Sequence, residues 1–277
     1  MNIDVMEIFK VIFLGIVEGI TEWLPISSTG HMLIVDEFLQ LNASKEFKEM
    51  FFVVIQLGAI LAVLGIFWEK MFPFQFKDNN KSIIRKDVFT IWFKTAFACI
   101  PGAAVTLLFD DYIEAHFHTP LVIAAALIFY GIAFIQVENW NKKRVPQVNK
   151  LSDITWKTAF IIGVFQVLSI IPGTSRSGAT IIGALLIGVS RVAAAEFTFF
   201  MAIPVMFGLS AIKLIKFGFH FTGSELLILG IGMVTAFIVS IFVIKFLMSF
   251  IKKNDFKIFG WYRIAVGFLV IIISLMF

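Results

Sequence analysis

Apolar runs long enough to cross a hydrocarbon core recur from one end of this chain to the other, and no other feature restricts its fold as strongly. A helix needs roughly 20 residues to span a bilayer interior. Six segments meet that length, at about 51–69, 91–109, 119–138, 196–216, 225–247 and 259–277, each with polar or charged flanks. In hydrocarbon every backbone polar group must be satisfied internally, so such segments are helical. Composition agrees: 59% of the residues are hydrophobic and 15% charged, whereas about a quarter of a soluble domain is charged. The expected fold class is an all-α integral membrane protein, with residues 1–277 forming one membrane domain.

Two further regions, 8–35 and 157–190, are apolar at their ends and broken in the middle by Pro, Gly, Ser and charge. Non-helical backbone at membrane depth survives only when buried in protein or lining a wet cavity, so both read as re-entrant helical hairpins. Glu18 and Glu22 interrupt the first apolar run, which argues against a cleavable signal and for a mature chain starting near Met1.

Orientation follows from the cations. Lys70, Lys77, Lys81, Arg85 and Lys86 cluster in one connection, Lys142, Lys143, Arg144 and Lys150 in a second, Lys252, Lys253 and Lys257 in a third. Short cationic loops face the cytoplasm. Six alternating spans then leave both termini outside, beside an acidic loop at 110–118 holding Asp110, Asp111 and Glu114. The net charge of +4 belongs to these loops, and a nucleic-acid partner is not expected.

An internal repeat points the same way. At an offset of 148, Gly15 matches Gly163, Glu18 matches Gln166, Thr21 matches Ser169, Ser27 matches Ser175 and Gly30 matches Gly178. Each half, about 1–140 and about 150–277, reads as a hairpin followed by three spans. Three is odd, so the second half enters the membrane inverted, a plan that brings broken helices together near the midplane.

The breaks hold the chemistry. In the first, Glu18 and Glu22 share one helix face, Pro25 ends the helix, and Ser27, Ser28, Thr29 and His31 follow. A carboxylate at membrane depth costs at least about 2.5 kcal/mol on insertion scales, so the pair calls for a cation or a shared proton. In the second, Gly173, Thr174, Ser175, Ser177 and Thr180 surround Arg176, whose planar fork suits phosphate oxygens. Together they supply hydroxyls, an imidazole, carboxylates and a guanidinium, as phosphoryl transfer needs. Blander roles stay open: the carboxylates as structural counter-ions to Arg176, the serines as helix caps. Gln56, mid-span, is a candidate pocket residue.

Glu18-Gly-Ile-Thr-Glu22-Trp-Leu-Pro-Ile-Ser-Ser-Thr-Gly-His31 and Pro172-Gly-Thr-Ser-Arg-Ser-Gly178 resemble the two signature motifs of the undecaprenyl-diphosphate phosphatase family, also called bacitracin-resistance proteins. The resemblance extends over the whole chain, through Val54-Ile55-Gln56-Leu57-Gly58 and Ser190-Arg191. It implies a multi-pass enzyme of the bacterial inner membrane, with its site open to the periplasm or cell exterior. The implied reaction is hydrolysis of a polyprenyl diphosphate for carrier-lipid recycling in cell-wall synthesis. The implied cofactor is a divalent cation, Mg or Ca. By the match, Glu18 and Glu22 are the acidic, metal-binding pair, Ser28 the nucleophile, His31 its acid/base partner, and Ser175, Arg176 and Thr180 the phosphate-binding half. Expected partners are the lipid substrate, membrane lipids and a second copy in a homodimer. A lipid transporter is the rival class, since inverted repeats also build carriers; a carrier, however, has no use for a poised nucleophile.

Other residues receive structural readings. Cys99 is a small packing residue, His116 and His118 are not expected to bind metal, and Arg191 is expected to pair with Glu196. Most of the tryptophans fall near span ends, as interface anchors do.

Overall fold

The computed structural model describes residues 4–75, 83–218 and 220–276, apart from the side chains of Glu37, Asp110, Asp111 and Glu114. Lys77 and Lys81 of the first basic connection, and the carboxylates of the acidic segment, therefore lie outside the described part. The helices are α1 (Val5–Thr21), α2 (Ser28–Phe38), α3 (Lys45–Ile66), α4 (Trp68–Met71), α5 (Lys86–Phe117) and α6 (Pro120–Asn141). After them come α7 (Trp156–Val167), α8 (Arg176–Leu186), α9 (Arg191–Phe217), α10 (Gly223–Phe250) and α11 (Lys257–Met276).

Among the described residues, α3, α5, α6, α9, α10 and α11 are the six helices long and apolar enough to span a membrane, and each overlaps one of the expected segments, although α3 stops at Ile66. Helices α3 and α9 begin five or six residues earlier than the apolar run, and α10 slightly earlier. The reason is capping: Ser44 accepts from the Phe47 amide at 3.1 Å and Ser190 from the Ala193 amide at 3.3 Å. Thr222 and Glu225 form a reciprocal capping box at the start of α10. Hydropathy reports the stretch in hydrocarbon, whereas caps sit in the polar boundary where free amides need partners.

The expected loop at 110–118 is not a loop. Helix α5 runs on to Phe117, since no Pro or Gly interrupts 103–117 and polar residues do not stop a helix by themselves. The chain turns only at Thr119, which caps α6 with Pro120 in its first turn.

Both expected breaks are present. Helix α1 ends before Pro25 and α2 restarts at Ser28; α7 runs through a short 3₁₀ turn, Leu168–Ile170, before α8 restarts at Arg176. Helix α8 is the most enclosed element, every residue from Ser177 to Leu185 being buried. The hairpins dock crosswise: α1 packs on α10 and α7 on α5, while α3 lies against α9 and α6 against α11. At both crossings a glycine admits the neighbouring backbone. A Cβ on Gly15 would lie 2.9 Å from the Gly232 carbonyl oxygen, and one on Gly163 only 2.0 Å from that of Ala98.

Trp68, Trp140, Trp156 and Trp261 are about half exposed near helix ends, as anchors should be. Trp23 departs from that pattern: it is fully buried within the first break, edge-on to Phe199 at 5.2 Å. Arg191 also departs from expectation. Its Nε donates to Glu138 Oε1 at 2.9 Å and its Nη2 to Glu138 Oε2, whereas Glu196 pairs with Lys70. Glu138 is fully buried and also accepts from the Phe256 amide at 3.0 Å, so it needs the planar two-donor partner that Arg191 supplies.

Candidate active site

The two restarts share one local geometry. Ser27 and Ser175 have φ of 74° and 71°, the left-handed region that side chains seldom adopt. Each serine Oγ accepts from the amide three residues on, Gly30 at 3.4 Å and Gly178 at 3.2 Å. That contact caps the new helix and offsets part of the backbone strain. Gly173, at φ 90°, fits only without a side chain, because a Cβ there would stand 2.5 Å from the Ile123 carbonyl oxygen.

These turns bring Glu22 to the junction of the hairpins. Its Oε2 accepts from Ser28 Oγ at 3.0 Å and its Oε1 from Arg176 Nη2 at 3.1 Å. Arg176 Nη1 donates to the Thr198 carbonyl at 3.0 Å, while its Nε is buried with no hydrogen-bond partner. Behind this, Thr180 Oγ1 donates to the Arg176 carbonyl at 3.0 Å and lies 2.8 Å from Thr198 Oγ1. Ser177 Oγ lies 3.2 Å from Ser175 Oγ and 3.4 Å from the Glu22 carbonyl oxygen, linking the two breaks again.

A cavity of about 410 Å³ opens over this cluster. Glu22, Ser27, Ser28, Thr29, Gln56, Gly173, Ser175 and Arg176, all singled out from sequence, line it. Thr174, Ser177 and Thr180 do not; they are buried behind the wall and support it. Glu18 is also behind the wall, 1% exposed, and its Oε1 has no hydrogen-bond partner. His31 does not reach Ser28 either. Its Nδ1 donates to the Ser27 carbonyl at 2.7 Å, and its Nε2 meets the Tyr262 hydroxyl at 2.8 Å. With Nδ1 protonated, the neutral ring accepts from Tyr262.

Arg263 escaped the sequence reading. It is fully buried in α11; its Nη1 donates to the Pro25 carbonyl at 3.2 Å and its Nη2 to those of Gly173 and Thr174, each at 2.8 Å. One guanidinium thus ties the two broken turns together. The signal was available, since a cation inside an apolar span marks a functional position by default. Gln166, which occupies the repeat position of Glu18, also lines the cavity, as do Ser169 and Thr106.

Among the described residues no group of three or more His, Cys, Asp or Glu is placed to hold a metal ion. A hard cation such as Mg²⁺ accepts one or two carboxylates and completes its shell with substrate phosphates and water. Glu22 at the cavity wall and the orphaned Oε1 of Glu18 behind it are donors of that kind.

Comparison with known proteins gives a consistent result. A family model described as "Bacitracin resistance protein BacA" matches residues 11–269. A protein of Enterococcus faecalis named undecaprenyl-diphosphatase is 71% identical over 274 residues, 99% of each chain. Proteins of the same name from Lachnoclostridium phytofermentans and Desulfitobacterium hafniense are 64% and 63% identical. Those alignments take in 96% of this chain, and 97% and 96% of the two relatives.

Proposed function

The chain belongs to the bacitracin resistance protein BacA family, and on that footing we infer that it is an undecaprenyl-diphosphatase, a membrane hydrolase converting a polyprenyl diphosphate to the monophosphate and inorganic phosphate. The observation that carries the site reading is the Glu22 carboxylate, shared between Ser28 of one hairpin and Arg176 of the other.

In this reading the terminal phosphate enters the cavity between the hairpins. The polyprenyl tail runs out along its apolar wall, past Leu107 of α5 and Leu209 and Ile212 of α9. The phosphate takes the Arg176 donors, Nε having no other partner and Nη2 turning from Glu22. Released from Arg176, the Glu22 carboxylate accepts the Ser28 proton. Ser28 Oγ then bonds to phosphorus in line as the bond to the bridging oxygen breaks, and polyprenyl monophosphate leaves. Water next attacks the phosphoserine. Its oxygen bonds to phosphorus as the bond to Oγ breaks, Oγ recovers its proton from Glu22, and the water protons leave with inorganic phosphate. His31 acts here by fixing the Ser27 turn, and through it the aim of Ser28. Glu22 and Glu18 would hold a divalent cation, Mg²⁺ or Ca²⁺, which when bound neutralises diphosphate charge.

We also read the two halves as inverted copies. The equal positive φ of Ser27 and Ser175 supports this, as does the exchange of partners in which α1 packs on α10 and α7 on α5. The cavity faces the outer side of the bacterial cytoplasmic membrane in this scheme, supported by the cationic connections at the opposite end. A homodimer completes it, two-fold pairs being the commonest assembly of identical chains.

The deciding experiment gives the purified, detergent-solubilised chain a polyprenyl diphosphate labelled in its terminal phosphate. Expected are release of labelled phosphate that stops on chelation, and trapped label on Ser28 after rapid quench. Ser28→Ala should do neither. Substantial turnover by Ser28→Ala with no trapped label would sink the covalent route, and lipid flipping without release would sink the hydrolase reading.

A further inference from the structure

A second cavity, of about 810 Å³, lies at the start of α9, where Lys142, Arg144, Arg191 and Lys252 stand around it and Leu185, Ile187 and Ile251 contribute apolar lining. Along α9 it is roughly 20 Å from the catalytic cavity, taking 1.5 Å per residue from Arg191 to Pro204. Its wall is built from fixed contacts. The Gln147 and Val148 amides donate to the Gly188 carbonyl at 2.8 and 3.2 Å, the Ser190 amide to that of Val148 at 2.8 Å, and Asn141 Nδ2 to that of Leu185 at 3.1 Å.

The charges around this cavity do not balance. The carboxylate of Glu138 is taken up by Arg191 and the Phe256 amide. Among the described residues, Lys142, Arg144 and Lys252 have no carboxylate oxygen within the 4.0 Å of an ion pair. The Arg144 guanidinium lies 3.6 Å over the ring of half-exposed Trp140, an arrangement that leaves its edge N–H groups available. Three uncompensated cations around a partly apolar cavity, beside an interfacial tryptophan, match a phosphate attached to an acylated glycerol better than a soluble anion. Basic pockets between helices on this kind of face recognise anionic headgroups. We propose that this cavity binds the phosphate headgroup of an anionic glycerophospholipid drawn from the leaflet at the basic end of the bundle, with the acyl-glycerol portion against its apolar lining.

The test uses the full chain in detergent, with phosphatidylglycerol, phosphatidylcholine or inorganic phosphate added separately, and reads bound lipid by native mass spectrometry. Wild type should retain phosphatidylglycerol over phosphatidylcholine. Lys142→Gln, Arg144→Gln and Lys252→Gln should weaken retention roughly fivefold per charge removed, the factor matching about 1 kcal/mol for each cation near an anionic surface. Lys157→Gln, an exposed cation at the start of α7 outside the cavity, should change nothing. Equal retention of the two lipids by wild type needs no variant to interpret and overturns the proposal. So does undiminished phosphatidylglycerol binding in the triple variant, and so does displacement of the lipid by equimolar inorganic phosphate, which would make this a site for soluble anions.

Discussion

Arg176 meets Glu22 through Nη2 and the Thr198 carbonyl through Nη1, with Nε left over. A lysine could keep the charge but not this spread of donors on one plane. Arg176→Lys should therefore lose about 2 to 4 kcal/mol of transition-state stabilisation, comparable with removing an oxyanion donor. Steady-state phosphate release should show the loss in kcat/KM; near-normal turnover would make Arg176 a structural counter-ion of Glu22. That ion pair was one of the blander readings open from sequence, and the geometry accommodates both roles, since Glu22 also holds Ser28. Residue types at the breaks were legible because charge and hydroxyls stand out in apolar sequence. Their partners were not. His31 turns from Ser28 to Ser27 and Tyr262, and Arg191 from Glu196 to Glu138, because helix packing between distant segments decides both.

At the scale of elements, hydropathy located the membrane helices but not their ends. The extension of α5 to Phe117 and the early starts at Ser44 and Ser190 depend on caps and on the absence of breakers, which a hydropathy window does not see. The breaks in the hairpins were easier to read, because Pro25 and the Gly173 turn leave no continuous ladder. What fixes those hairpins is close approach. A methyl on Gly163 would fall 2.0 Å from the Ala98 carbonyl oxygen, so α7 and α5 must separate to admit it. Gly163→Ala should cost about 1 to 3 kcal/mol, the usual range for overpacking, and should also lower activity by shifting the second break. Gly230→Ala, with nothing within 4 Å of its added methyl, is the matched control and should leave melting temperature and turnover near wild type. Equal stability of the two variants would mean that the crossing yields without consequence.

For the whole molecule, the crosswise docking of the hairpins ties each half to the other: α1 packs against α10 and α7 against α5, and Arg263 of α11 bonds to carbonyls of both breaks. Neither half could form its share of the site alone, which is why the composite site could be suspected from the repeat but its geometry could not. The same arrangement makes a prediction about sidedness. If the second half is inverted, the α5–α6 turn and the start of α10 share the outer side, while the connection after α6 lies inside. In a Cys99→Ala background, cysteine at His118 or Gly223 should then react with a membrane-impermeant maleimide added to intact cells, and cysteine at Lys143 only after the membrane is opened. His118, Gly223 and Lys143 are all exposed, so local burial should not decide the result. Odd span counts make the outcome sharp: a parallel repeat would move Gly223 to the side of Lys143. Labelling at His118 from outside with Gly223 reacting, like Lys143, only after the membrane is opened would therefore refute the inversion, and with it the cationic-loop argument that turns the cavity between the hairpins outward.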